Sequence, residues 1–163
     1  TNRTNSRTVI ACLIPPETGL TNSAPYLVFP TGEALAQAFV LGILNSLPFD
    51  WQARRFVETH LNFFILNMLC FPPLERTPWE RIGKLAARLS CVDERFGEFA
   101  RQAGVDYGPM DDPMSLRAEI DALVAHAYGL AEADLYTMFQ DFTEAAVPPN
   151  YRERLVQRFR EVK

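Results

Sequence analysis

The sequence predicts an α+β fold. A small N-terminal unit of a strand hairpin and a helix, residues 1–73, precedes a mainly α-helical C-terminal half, residues 74–163, that packs against it. Two early stretches rich in apolar and β-branched residues each end at a proline, which is typical of strands. From residue 79 onward apolar residues recur every three or four positions, which is typical of amphipathic helices. Hydrophobic residues make up 48% of the 163 positions, so the chain can form a sizeable core.

The N-terminal unit is predicted to begin with two strands. Residues 7–14 (RTVIACLI) and residues 24–29 (APYLVF) each run up to a proline, and we expect them to pair as a hairpin across a long loop. Apolar residues at four-residue intervals then predict a helix over 34–47, which Thr31 is expected to cap and Pro48 to interrupt. A second short helix and a stretch of mixed structure complete the unit.

The C-terminal half is predicted to consist of helices alone. A long helix over 79–103 ends at a glycine, which readily terminates a helix. Asp112 is expected to cap the next helix, whose first turn contains a proline, and Gly129 to stop it. Two shorter helices follow over 131–142 and 151–162.

The charge is low and unevenly distributed. Sixteen Lys and Arg residues stand against twenty Asp and Glu residues, a net charge of −4, which does not favour a protein bound to nucleic acid by bulk charge. Residues 1–72 contain four residues of each sign, so all of the negative excess lies in the second half. The second half is therefore expected to repel DNA phosphates and to buttress the first half.

Three widely spaced cysteines, Cys12, Cys70 and Cys91, form neither a disulfide framework nor a zinc pattern. Their apolar surroundings predict buried, reduced thiols. No signal peptide and no apolar run of membrane-spanning length is visible, so we expect a cytoplasmic location. The chain begins at Thr1 within a polar loop, and we interpret it as part of something longer.

No catalytic, metal-binding or cofactor-binding motif is found. The two histidines lack partners at metal-ligand spacing, the eight glycines form no nucleotide-binding pattern, and no nucleophile elbow occurs. The sequence Pro-Pro-Asn-Tyr at 148–151 has the wrong order for the Asn-Pro-Pro-Tyr loop of amino-methyltransferases, and we expect it to begin the last helix. His126 is expected to be structural. This chain by itself is predicted not to be an enzyme.

Several linked segments resemble a known family. Residues 4–14 (TNSRTVIACLI), 22–25 (NSAP), 41–55 (LGILNSLPFDWQARR) and 60–73 (HLNFFILNMLCFPP) occur in that order. They resemble the post-catalytic region of Eco57I-like and other type IIG restriction–modification proteins, where an R-T-(V/I)-I strand and a helix lead into L-N-S-x-x-F-D-x-x-x-R. The helices from 112 to 139 are similar to the helical tail of these proteins.

The resemblance implies a function. In this family a methyltransferase core makes N6-methyladenine from S-adenosylmethionine, and the downstream region helps to select the DNA sequence. The prediction is a DNA target-recognition fragment of a restriction–modification adenine-N6 methyltransferase, non-catalytic by itself, with double-stranded DNA and the methyltransferase core of the same chain as its partners. The alternative is a structural or protein-interaction helical module of a phage-defence complex.

Candidate DNA contacts follow from side-chain chemistry, because Arg binds phosphate or guanine and Asn pairs with adenine. The candidates are Asn2, Arg3, Asn5, Arg7, Arg54, Arg55, His60 and Asn62. Each has a structural alternative: the loop over 1–7 is solvated, one of the paired arginines binds Asp50 or Glu58, and the residues near 60 cap a turn. The aromatic residues Phe39, Trp51, Phe63 and Phe64 are interpreted as core rather than as base-stacking groups.

Overall fold

A computed structural model of the chain describes residues 5–21, 25–58 and 60–162. Across these residues the secondary structure is helical, and no strand is present. The α helices are α1 (Ala34–Leu44), α2 (Leu47–Ala53), α3 (Phe63–Leu66), α4 (Trp79–Ser90), α5 (Gly97–Ala103), α6 (Pro113–Ala127), α7 (Glu132–Gln140) and α8 (Pro149–Glu161). Two 3₁₀ turns, Leu74–Arg76 and Glu94–Phe96, precede α4 and α5.

The predicted strand hairpin, and with it the α+β class, is wrong. Residues 7–14 and 25–29 run without helix, yet they form no ladder with each other or with any other described segment. The β-branched and apolar composition favours extended backbone but does not determine what that backbone pairs with. Side chains from α2 and from the end of α1 bind residues 8–11 instead. The described part of the chain is all-α.

The first two helices meet earlier than predicted. α1 ends at Leu44 rather than at residue 47, and Ser46 caps α2 by accepting the amide of Phe49. Pro48 lies in the first turn of α2, where its missing N–H costs nothing, so it helps to begin this helix rather than to interrupt the preceding one. The residue before α1 is Glu33, without a side-chain cap, and not the predicted Thr31.

The later helices follow local signals more closely. Asp112 accepts the amide of Ser115 and caps α6, as predicted, and Gly129 follows that helix with a φ of 75°. The helix predicted over 79–103 is divided at residues 91–93, because Asp93 caps a new turn there by accepting the amide of Arg95. Two prolines begin α8, as expected.

The core joins both halves of the chain. Buried residues from Val9 to Val162 form one cluster, so the predicted units 1–73 and 74–163 share a single core. Helix α1 packs closely on α4, where a Cβ on Gly42 would lie 2.8 Å from Ile82 Cγ2 and a Cβ on Gly83 would lie 2.9 Å from the carbonyl oxygen of Leu35. Glycine at these two positions lets the helices approach each other.

Helix α6 is the central element, since it contacts α4 and α8 and is buried on most sides from residue 118 to residue 127. His126 on this helix stacks on Phe159 with ring centroids 3.9 Å apart, and its Nε2 lies 2.8 Å from the Phe159 carbonyl oxygen. These contacts place His126 in a packing role. None of the helices in the described ranges has the length and apolar character needed to cross a membrane.

The cysteines and two aromatic residues differ from expectation. Cys91 is buried, but Cys12 and Cys70 are exposed, so the prediction of three buried thiols is wrong for two of them. Phe63 and Phe64 are 46% and 74% exposed, and the prediction that they belong to the core is also wrong. All four lie in segments whose apolar character, without helical periodicity, does not reveal which side faces the core.

Candidate nucleic-acid interface

A buried carboxylate fixes the N-terminal segment. Asp50 on α2 is 1% exposed, and its Oδ1 accepts the backbone amides of Thr8 and Val9 at 2.7 and 2.6 Å. Its Oδ2 accepts Nε of Arg54 at 3.0 Å. Hydrogen bonds to an ionised acceptor are stronger than neutral ones, so Asp50 replaces the strand partner that these two amides lack.

Asn45 binds the same segment two residues further along the chain. Its Oδ1 accepts the Ala11 amide at 3.0 Å, and its Nδ2 donates to the Ala11 carbonyl oxygen at 2.9 Å. A side-chain amide offers one donor and one acceptor, so it pairs with both polar groups of a single residue, much as a neighbouring strand does. The segment is therefore extended and fixed without belonging to a sheet.

Arg54, one of the predicted DNA contacts, is occupied inside the fold. Its side chain is 12% exposed and its Nη2 donates to the carbonyl oxygens of Asn5 and Ser6 at 3.0 and 2.8 Å. The guanidinium also lies 4.2 Å from the ring centroid of Phe142. The pairing of Arg54 with Asp50, one of the alternatives predicted from the i,i+4 spacing, is confirmed.

Arg55 lies on the surface instead. Its side chain is 52% exposed, and its Nη2 lies 2.6 Å from Oδ2 of the exposed Asp141. The guanidinium is stacked 4.6 Å from the ring of Trp51, whose Nε1 donates to the same carboxylate oxygen at 2.6 Å. An ion pair this exposed contributes only about 0–1 kcal/mol, so Arg55 can exchange Asp141 for another anion.

The remaining candidates are dispersed. Asn5 is exposed at the start of the fixed segment, and His60 is exposed before α3. Asn62 caps α3 by accepting the Ile65 amide at 2.9 Å, which is the capping role predicted as its alternative. The predicted contacts Asn2 and Arg3 lie outside the described residues.

A second buried carboxylate, Asp121 on α6, lies beneath the segment. It is 2% exposed, accepts the Leu47 amide at 2.8 Å and accepts the Tyr151 hydroxyl at 2.6 Å. Burial raises the pKa of Asp121, and the nearby positive charge of Arg7 opposes that shift. Burial, together with the adjacent carboxylate, also raises the pKa of Tyr151 well above its usual range.

Two cavities flank the fixed segment. One is an apolar groove of about 690 Å³ between this segment, residues 25–29, α1 and α3, and its rim includes the exposed side chains of Ile10 and Tyr26. The other is a cleft of about 550 Å³ between the segment and helices α1, α4 and α6. The side chains that line this second cleft include Arg7, Arg95 and Arg117.

Arg95 and Arg117 were not predicted as candidate contacts. The prediction used the net negative charge of the second half, which does not show where individual cations lie. Their spacing in the chain carries no signal that they line the same cleft as Arg7. Among the described residues no group of three His, Cys, Asp or Glu side chains is arranged to bind a metal ion.

Comparison of the chain with family models, with curated proteins and with solved structures gives no match. The family resemblance therefore remains a prediction that rests on the order and spacing of the quoted segments. The hydrogen bonds that join these segments in the structure do not depend on that resemblance.

Proposed function

We propose that this chain is the DNA target-recognition region of a type IIG restriction–modification adenine-N6 methyltransferase and is non-catalytic by itself. The observation that carries the proposal is the direct contact between the two segments on which the resemblance depends most. Three of the four polar residues that define the L-N-S-x-x-F-D-x-x-x-R block, Asn45, Asp50 and Arg54, bind the backbone of residues 5–11, and the fourth, Ser46, caps α2. The spacing of these three residues thus places their side chains along one extended segment of backbone.

The fixed segment is suited to presenting polar side chains. Because Arg54 binds the carbonyl groups of both Asn5 and Ser6, the Asn5 side chain projects from an anchored backbone. A preorganised residue loses little conformational entropy on binding. An Asn amide in the major groove pairs with the N6 and N7 positions of adenine, so Asn5 is the first candidate for base contact.

Among the arginines of α2 and its C-terminus, the surface residue Arg55 is the better candidate for contact with a DNA phosphate. It leaves only a solvent-exposed ion pair when it turns to a phosphate, whereas Arg54 would abandon a buried carboxylate. Since residues 1–72 are neutral overall, the affinity of this chain alone for a duplex is expected to be weak.

The proposed partners are double-stranded DNA and the methyltransferase core of the same polypeptide, in a cytoplasmic enzyme. S-adenosylmethionine belongs to that core. The apolar groove supports a protein partner, because its lining residues Ile10, Tyr26 and Leu27 are 64%, 63% and 49% exposed beside backbone that no described strand covers. The same groove favours the second candidate, a protein-interaction module of a phage-defence complex.

Mapping adenine methylation decides between the two. The full-length methyltransferase is produced in a methylation-deficient bacterial host, alongside a chimera whose residues 1–72 come from a relative with another target. The proposal expects one methylated DNA motif that changes in the chimera. An unchanged motif refutes base recognition by this region and leaves the interaction module.

Point variants sharpen the same measurement. Asn5→Ala is expected to relax the preference at one base position by about 1–3 kcal/mol, and Arg55→Ala to weaken methylation of all sites alike. Arg101→Ala is the matched control, because Arg101 is an exposed arginine paired with Glu98 on α5. Equal effects of all three variants would contradict the assignment.

A further inference from the structure

Three arginines are among the residues that line the cleft between the fixed segment and helices α1, α4 and α6. Arg7 comes from the segment, Arg95 from the turn before α5, and Arg117 from α6. The walls between them are largely apolar and include Leu41 and Phe96. A volume of about 550 Å³ with apolar walls and a few convergent charges lies within the range of small-ligand sites.

Two of the three arginines have hydrogen-bonding groups that the described part of the chain does not satisfy. Arg117 is exposed, and no hydrogen bond or ion pair joins it to any described residue. Nη1 of Arg7 is buried and also lacks a hydrogen-bond partner among those residues. A buried donor without a partner costs free energy, so this atom is expected to meet an acceptor that the described part of the chain does not supply.

Arg95 and the acidic groups around the cleft are already paired. Arg95 lies 2.8 Å from Asp93 in an exposed ion pair, which is weak enough to be shared with a ligand. Asp121, the buried acid of the cleft, accepts the Leu47 amide and the Tyr151 hydroxyl. The charge of Arg7 also acts on Asp121. The three arginines stand against the two carboxylates of Asp93 and Asp121, which leaves one positive charge in excess at the cleft.

We propose that this cleft is a phosphate-binding site whose principal ligands are Arg7 and Arg117, with Arg95 at its rim. The planar N–H fork of a guanidinium matches two oxygens of a phosphate group, and several such forks around one cleft give a site for a single phosphate. The inference goes beyond the proposed function and does not depend on it. A phosphate of a DNA strand and a free phosphate ion present the same oxygens.

Isothermal titration of the 163-residue chain at low ionic strength tests the site. One arm uses inorganic phosphate, and the other uses a six-nucleotide single-stranded DNA without terminal phosphates. Arg117→Gln is expected to weaken binding about tenfold, the loss of one charge-assisted contact, because it removes a ligand that has no structural partner. Arg101→Gln, an exposed arginine outside the cleft, is expected to leave binding unchanged.

The two arms distinguish the source of the phosphate. Binding of the oligonucleotide that depends on Arg117 assigns the site to a nucleic-acid strand, and binding of inorganic phosphate alone assigns it to a free anion; either result supports the site. Arg7→Gln provides a second test, and if that variant fails to fold, Arg117→Gln decides. No binding in either arm, or equal binding by Arg117→Gln and Arg101→Gln, overturns the proposal without bearing on the methylation map.

Discussion

Replacing Asp50 by alanine tests whether one carboxylate fixes the N-terminal segment. The change removes the acceptor of the Thr8 and Val9 amides and leaves Arg54, whose side chain is only 12% exposed, without its counter-ion. Breaking a buried ion pair from one side costs about 3–5 kcal/mol, because the remaining charge is uncompensated. We expect the free energy of unfolding of Asp50→Ala to fall by that amount.

Urea denaturation measures the loss, and amide hydrogen exchange locates it. The Thr8 and Val9 amides are expected to lose protection in Asp50→Ala, since a fixed backbone conformation without an acceptor opens to solvent. Asp50→Asn keeps one carbonyl acceptor and is expected to lose about half as much stability. That variant remains informative if Asp50→Ala does not fold, because a domain has only about 5–15 kcal/mol of stability to lose.

Asp141→Ala serves as the matched control. It also removes a carboxylate that pairs with an arginine of the same region, but this ion pair is exposed, so a loss of less than about 1 kcal/mol is expected. A loss for Asp50→Ala no larger than that of Asp141→Ala, or unchanged protection of the Thr8 and Val9 amides, would refute the reasoning.

Three further predictions concern the interior. Because burial raises the pKa of Asp121, its contribution to stability is present below the ordinary value near 3.8 and is lost as pH rises through the folded-state pKa. Asp121→Asn should therefore gain stability relative to the native chain as pH rises above that ordinary value, which urea titrations at a series of pH values measure. Gly42→Ala places a Cβ 2.8 Å from Ile82 and should destabilise the α1–α4 contact by about 1–3 kcal/mol in the same assay. Cys91 is buried and its thiol pKa is raised, so a thiol reagent should label the other two cysteines of the native chain much faster.

Each of these has a control. A stability difference between Asp121→Asn and the native chain that does not vary with pH would contradict the pKa shift. Gly19→Ala has nothing within 4 Å of its added Cβ and should be close to neutral, so equal losses for Gly19 and Gly42 would exclude helix packing as the cause. Labelling of all three cysteines at one rate would show that Cys91 is accessible.

Signals that act within a few residues were read correctly from the sequence. The cap at Asp112, the stop at Gly129 and the pairing of Arg54 with Asp50 each depend on atoms three or four positions apart, or on one backbone angle. Their free energies are largely set by local geometry, so residue type and spacing suffice to predict them. Most helices of the second half were predictable for the same reason, although the one predicted over 79–103 is divided into α4 and α5.

The partners of the extended segments were decided by the tertiary structure. Residues 7–14 have the composition of a strand, yet Thr8 binds Asp50 across 42 positions and Ala11 binds Asn45 across 34. Backbone amides must find acceptors, but a carboxylate or a side-chain amide satisfies them as well as a second strand does. Composition alone could not distinguish these solutions, and so the hairpin prediction failed.

The cleft illustrates the same limit for the candidate site. Sequence alone identified Arg7 as a cation with a possible DNA role, but it assigned the second half, with Arg95 and Arg117, to repulsion of phosphate. Net charge averages over a segment, whereas a binding site depends on which few side chains the packing of helices brings together. Sequence by itself determined the approximate positions of most helices and the cap at Asp112. Only the packing of α1, α4 and α6 decided which charged residues line one cleft, because that packing removes the apolar surface of the core from water.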